Sequence, residues 1–212
     1  MLEHVHWLGH DAFRIDGSTT VYIDPWKLKA GQPPAGAILV THEHYDHLSL
    51  DDILAIAGPE TVLVGPPAVT AQVRGPATLT VRPGDTVEAH TATVTAVPAY
   101  NTTKFKAPGR VYHPRSEGHV GYIVAMDGRR TYHAGDTDAI PEMEGVSVDV
   151  ALLPVGGTFT MTAEEAADAC ALLDARAVVP MHWGDIVGSR KDAERFQRLC
   201  RLPVTILERE YS

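Results

Sequence analysis

The chain has 212 residues, 44% hydrophobic and 21% charged, with a formal net charge of −9. This length and composition fit one soluble globular domain over 1–212, able to bury roughly 70% of its surface without a staple. The acidic balance excludes a general nucleic-acid or anionic-membrane surface, and no apolar run reaches the roughly 18 residues needed to span a membrane.

The opening segments "HVHWLGHDAFRIDG" and "TTVYIDP" read as a hairpin closed by Asp16-Gly17, with Val21 and Ile23 on one face. "AGAILVT" is a continuous apolar strand. Ser49 and Asp52 mark the start of a helix, "LDDILAIAG", ending at Gly58. "TVLVGPP" reads as a strand, "AVTAQVR" as a short helix, and residues 77–101 as three strands around Pro83-Gly84. A long loop is expected over 101–118. "GYIVAMDGRRTYHAGDTD" reads as a hairpin around Asp127-Gly128, "VDVALLPVGG" as a buried strand, and "TAEEAADACALLDA" as a helix opened by Thr162 and Glu165. "RAVVPMHWGD" reads as a strand, "SRKDAERFQRLC" as a helix opened by Ser189 and Asp192, and "PVTILER" as a closing strand. Two β-rich halves with helices on the outer faces fit this order. Cys170 and Cys200 read as small buried hydrophobes in a reducing compartment. No positively charged, then apolar, leader opens the chain, so a cytoplasmic location is expected.

The chemistry concentrates where apolar strands end. "ILVTHEHYDH" empties into His42, His44, Asp46 and His47. Alternation puts His42 and His44 on one side as the strand runs out, and Asp46 and His47 approach after the turn. These nitrogen and oxygen donors suit zinc, manganese, iron or nickel. "YHAGDTD" ends a strand with Asp136, and "VVPMHWGD" ends another with His182, so the donors are expected to gather at one sheet edge.

"THEHYDH", then "HAGDTD", then "PMHWGD", after a strand carrying "IDP" at Asp24, resembles the metallo-β-lactamase superfamily. The likeness runs from "WLGHDAF" to "ILER". "HAGDTD" and "LLPVGGTFTMTAEEAA" are most similar to the branch of small metal-dependent hydrolases that includes L-ascorbate-6-phosphate lactonase. The resemblance implies an α+β, four-layer αββα sandwich with the metal site at the sheet edge. It implies that His42 and His44 hold one ion, that Asp46, His47 and His182 hold another, and that Asp136 bridges them. Asp24 would be an outer carboxylate fixing a ligand imidazole. One position departs from the family: where a strand usually ends in a third histidine for the first ion, this chain has Asn101. His10 is the first candidate to replace it and His113 the second. His133 reads as an outer-sphere or structural residue.

One or two divalent ions at such a site would activate water for hydrolysis of an ester, lactone, amide or phosphodiester. Asp46 or Asp136 would serve as proton acceptor, and His182 or His113 would donate to the developing oxyanion. No nucleophilic serine motif G-x-S-x-G is present. Lys104, Lys106, Arg110 and Arg115 lie in a stretch without acidic residues, which points to a small anionic substrate near Asn101 and His113. A non-catalytic metal-binding or sensing domain is the alternative, and Asn101 is its best support. Apolar edge strands would permit identical chains to assemble, and no extended nucleic-acid surface or membrane contact is expected.

Overall fold

A computed structural model describes residues 2–210. The first sheet is built in chain order from β1 (Val5–Gly9), β2 (Ala12–Asp16), β3 (Thr20–Ile23), β4 (Ala35–Leu39), β5 (Ala57–Gly65) and β6 (Ala77–Thr80). The second is assembled from β7 (Thr86–Ala89), β8 (Ala92–Pro98), β11 (Val120–Met126), β12 (Arg129–His133), β13 (Ser147–Pro154) and β14 (Asp174–Met181). Its spatial order is β14-β13-β12-β11-β8-β7. A small hairpin of β9 (Phe105–Ala107) and β10 (Arg110–Val111) stands apart from both.

Side-chain alternation turns these sheets into layers. On β3 and β4, Val21, Ile23, Ala37 and Leu39 face inward and meet Val94, Ala96, Val120, Tyr122 and Val124 of the second sheet. Their neighbours Tyr22, Ile38 and Val40 face outward, under Ile53 and Ile56 of α1 (Leu50–Ile56) and Val69 of α2 (Pro67–Thr70). The outer face of the second sheet packs against Ala163, Ala166 and Ala169 of α3 (Ala163–Ala169) and against Ala193 and Phe196 of α4 (Arg190–Leu199). The result is the expected αββα sandwich. The pairs β3·β4, β4·β5, β12·β13 and β13·β14 are parallel, so the carboxyl ends of β3, β4, β12 and β14 can deliver side chains to a common rim.

Four expectations need correction. The segment "HVHWLGHDAFRIDG" is two strands: β1 folds back on β2 through a tight turn, with Gly9 at φ 116° and His10 at φ 51°. The helix over 50–58 stops at Ile56, and Gly58 already lies in β5. The loop over 101–118 contains the β9–β10 hairpin and a single 3-10 turn at Arg115–Glu117. "PVTILER" forms only an isolated bridge, Val178 to Val204. The cysteines sit at the C-termini of α3 and α4 with their sulfurs 2.8 Å apart. Among the described residues no helix is long and apolar enough to cross a membrane.

Candidate metal centre

At the exit of β4, the chain is fixed by one buried carboxylate. Asp24, in a left-handed conformation after β3 (φ 47°), accepts the Thr41 N–H at 2.8 Å, the Thr41 hydroxyl at 2.7 Å and the His47 Nδ1–H at 2.7 Å. The Thr41 oxygen, its proton committed to Asp24, accepts from His42 Nδ1 at 3.0 Å. Both rings thereby turn Nε2 inward, and the His42 tautomer follows from its Thr41 partner. His42 Nε2 lies 2.9 Å from His44 Nδ1. His47 Nε2 lies 3.4 Å from both Asp11 Oδ2 and Asp136 Oδ1.

The facing wall comes from three other segments. The β1–β2 turn carries His10 and Asp11, and it docks on the end of β14 through the His182 N–H donating to the His10 carbonyl at 3.1 Å. His182 is itself left-handed, at φ 57°. Thus three of the six non-glycine residues with positive φ among those described, His10, Asp24 and His182, belong to this site, where surrounding structure holds a costly backbone geometry. Asp136 enters after Gly135 (φ 66°), where any Cβ would stand 2.7 Å from the Val120 carbonyl oxygen. His133 donates from Nε2 to the Asp11 carbonyl at 2.9 Å and supports the turn from behind.

Two groups of donors result. His42, His113 and His119 form one, with His44 Nδ1 3.2 Å from His113 Nε2. Asp11, His47, Asp136 and His182 form the other, overlapping a set of His10, Asp46 and His182. Asp136 reaches both groups. Its Oδ2 is 3.4 Å from His113 Nε2 and 3.3 Å from His182 Nε2, while Oδ1 faces His47. Nitrogens each about 2.05 Å from a tetrahedral ion stand roughly 3.3 Å apart, so these spacings suit donors sharing a cation. The same atoms are poorly served by protein partners: both nitrogens of His10, His119 and His182, both oxygens of Asp11, His47 Nε2 and Asp136 Oδ1 are buried without a hydrogen bond. Buried polar atoms are normally satisfied, and one or two divalent ions would satisfy these. The residues present fit the group that the donor chemistry calls for.

The electrostatics agree. Burial opposes charge on Asp136, yet His182 and His47 hold its carboxyl well below the usual range. Burial likewise opposes charge on Asp46, and His10, 3.4 Å away, together with the His47 charge brings it down to about 2. Burial would discharge His182, but Asp136 and Asp11 carry it up to about 9. In the first group, burial prevails. It pushes His113 down to about 4 against the attraction of Asp136, and with His47 it holds His42 well below the ordinary imidazole value. His42 and His113 are therefore neutral imidazoles, and the other group is rich in carboxylate.

Of the residues singled out in the sequence, His42, His44, Asp46, His47, Asp136 and His182 converge, with Asp24 behind them as the outer carboxylate. His10 lies against Asp46 and His182 rather than with His42 and His113, because the β1–β2 turn is fastened to β14. His113 takes its place in the first group, held by Asn101. Lys104 bonds Glu165 at 2.6 Å, and Arg115 pairs with Glu142 at 2.7 Å. Neither is among the residues lining the cleft above the site, which are His44, Tyr45, Asp46, Tyr112, His113, Asp136, Phe159 and Ile186, around about 230 Å³. Asp11 and His119 are additions. Asp11 sits beside His10 in a turn that reads as continuous strand. His119 precedes β11, so it lacks the strand-end signature that marks the others.

Comparison with known proteins bears on the same rim. A family model described as a beta-lactamase superfamily domain matches residues 4–182, which span the donors named above. A UPF0173 metal-dependent hydrolase of Nitratidesulfovibrio vulgaris is 37% identical, over 93% of this chain and 87% of that protein. A similarly named protein of Pyrococcus abyssi is 38% identical over 92% and 91%. A crystal structure of a Parabacteroides distasonis protein assigned as a metal-dependent hydrolase aligns with TM-score 0.83 at 30% identity, covering 95% and 91%. Igni18, a metallo hydrolase of Ignicoccus hospitalis, shares the fold with TM-score 0.72 at 22% identity, over 96% and 94%.

Proposed function

The chain belongs to the metallo-β-lactamase superfamily, and from that premise we propose that it is a metal-dependent hydrolase of small esters, lactones or phosphodiesters. The observation that carries this reading is the set of buried, unbonded donors from five chain segments that meet beneath an open cleft. His42, His113 and His119, with His44 beside them, would hold one ion, and Asp11, Asp46, His47 and His182 another, with Asp136 between them. Divalent ions bound by these residues would supply Lewis acidity, enough to bring the pKa of water from 15.7 to about 7.

The protein's own groups do the rest. Asp46 borders the cleft and is ionised at neutral pH, so it can orient a water and receive its proton. Asp136 also lines the cleft and is shared between the two groups, a position suited to holding the ions. His113 borders the cleft opposite and can approach the substrate's oxygen. The expectation of an anionic substrate finds little support, since Lys104 and Arg115 are engaged by acidic partners outside the cleft. Its walls instead include Tyr45, Tyr112, Phe159 and Ile186. These favour a substrate whose non-reacting part is apolar, and about 230 Å³ sits below the roughly 300 Å³ at the small end of ligand pockets.

A panel of nitrophenyl esters, aryl lactones and a nitrophenyl phosphodiester tests the proposal. Turnover of at least one class is expected, abolished by chelation and restored by zinc or manganese. A protein that retains its metal yet hydrolyses none would support the non-catalytic alternative. Turnover that persists after the metal is stripped would contradict the mechanism.

A further inference from the structure

We propose that this chain has moved one ligand of its first metal ion from a strand end to a crossing loop, with His113 as the donor and Asn101 as the residue that positions it. The inference rests on the metal-centre reading above, and it explains the asparagine at the family's histidine position.

Three observations carry it. First, the Asn101 carboxamide is oriented without ambiguity. Its Nδ2 donates to the Phe159 carbonyl at 3.0 Å and to Asp138 Oδ1 at 3.2 Å, which turns Oδ1 toward His113. Second, that oxygen accepts both the His113 backbone N–H and the His113 Nδ1–H, each at 2.9 Å. A ring that donates from Nδ1 keeps its lone pair on Nε2, and a hydrogen bond at the far nitrogen is the usual means of aiming a metal-ligating histidine. Third, Nε2 faces the cluster, 3.2 Å from His44 Nδ1 and 3.4 Å from Asp136 Oδ2, while His44 Nδ1 is 2.9 Å from His42 Nε2.

The loop is built to hold this arrangement. Asn101 N–H donates to the His113 carbonyl at 2.7 Å, so the two residues clasp the base of the segment from both sides. Asp138 accepts the Thr102 and Thr103 N–H groups, each at 2.7 Å, and anchors the outgoing strand. Within the clasp lie the β9–β10 hairpin and Tyr112, a wall of the cleft. A carboxamide oxygen is a weaker ligand for a borderline ion than imidazole. Displaced into the supporting position, it does what an amide does well.

The test is zinc stoichiometry and affinity, measured by elemental analysis and by competition with a chromophoric chelator. The proteins compared are wild type, His113→Ala, Asn101→Ala and the double variant Asn101→His/His113→Ala. Melting of each protein in the metal-stripped form serves as the folding control. The expected result is loss of one zinc ion per chain in His113→Ala and affinity for that ion lower by roughly 10–100-fold in Asn101→Ala. Recovery of the ion is expected in the double variant, where the strand-end imidazole returns. His113→Ala that melts like wild type when stripped and binds the same zinc with unchanged affinity would overturn the proposal while leaving the hydrolase reading intact. Wild type that binds no zinc would overturn both. Should His113→Ala fail to fold, Asn101→Ala decides: unchanged affinity there overturns the positioning role, and the predicted weakening supports it.

Discussion

The carboxylate of Asp24 takes three hydrogen bonds, and in doing so it selects which nitrogen His47 and, through Thr41, His42 present to the cluster. The same logic recurs at His113, whose Nδ1–H donates to Asn101 and turns Nε2 toward the cluster. Protonation follows. His182 is carried from an ordinary 6.5 to about 9 against the opposing effect of burial, by Asp136 and Asp11. A histidine whose folded value is raised stabilises the fold fully below its unfolded value and loses that contribution as pH climbs through the folded one. The melting temperature of metal-stripped protein should therefore decline from pH 6.5 through about 9, and zinc uptake near neutral pH should release protons. A flat or rising profile in scanning calorimetry would contradict this assignment of charge. At this scale the sequence was legible where the donors crowd together: His42, His44, Asp46 and His47 announce themselves. Asp11 and His119 do not, because an isolated carboxylate in a turn and a histidine before a strand carry no spacing signal.

Local chemistry decides how well the elements could be foreseen. Thr162 and Glu165 were readable as a helix start, and they form a reciprocal capping box, Thr162 Oγ1 accepting the Glu165 N–H at 3.2 Å and Glu165 accepting the Thr162 N–H at 2.7 Å. Glu165 also holds Lys104, so the cap ties α3 to the loop that carries His113. Thr162→Ala should cost about 1 kcal/mol in denaturant unfolding, and an unchanged midpoint would show that the cap contributes nothing. Elsewhere the reading failed for definite reasons. Asp16-Gly17 is a stronger turn signal than Gly9-His10-Asp11, so the first hairpin passed for a single strand; only a histidine forced to φ 51° reveals it. Gly58 reads as a helix stop, yet the stop comes at Ile56, where the chain turns directly into β5. The alternation of "PVTILER" looks like a strand, yet only Val204 bridges to Val178.

For the whole molecule, the sandwich and the shared rim were legible because the apolar strands β4 and β14, and the strand β12 with its buried end, each empty into histidine or aspartate. Which donor joins which ion was not, because it depends on contacts distant in sequence: the β1–β2 turn bonded to β14, and the Asn101–His113 clasp. Parallel packing of β3 with β4 and of β12 with β13 and β14 is what brings residues 10 to 182 to one place. The central claim is that these donors share a cation, and Asp136 is its pivot, since its oxygens face both groups. The most direct measurement is elemental analysis of protein purified without added metal, wild type beside Asp136→Asn. At least one transition-metal ion per chain in wild type and a large fall in the variant are predicted. An Asp136→Asn protein with the wild-type complement, or a wild type that carries no metal and takes up none, would contradict the account.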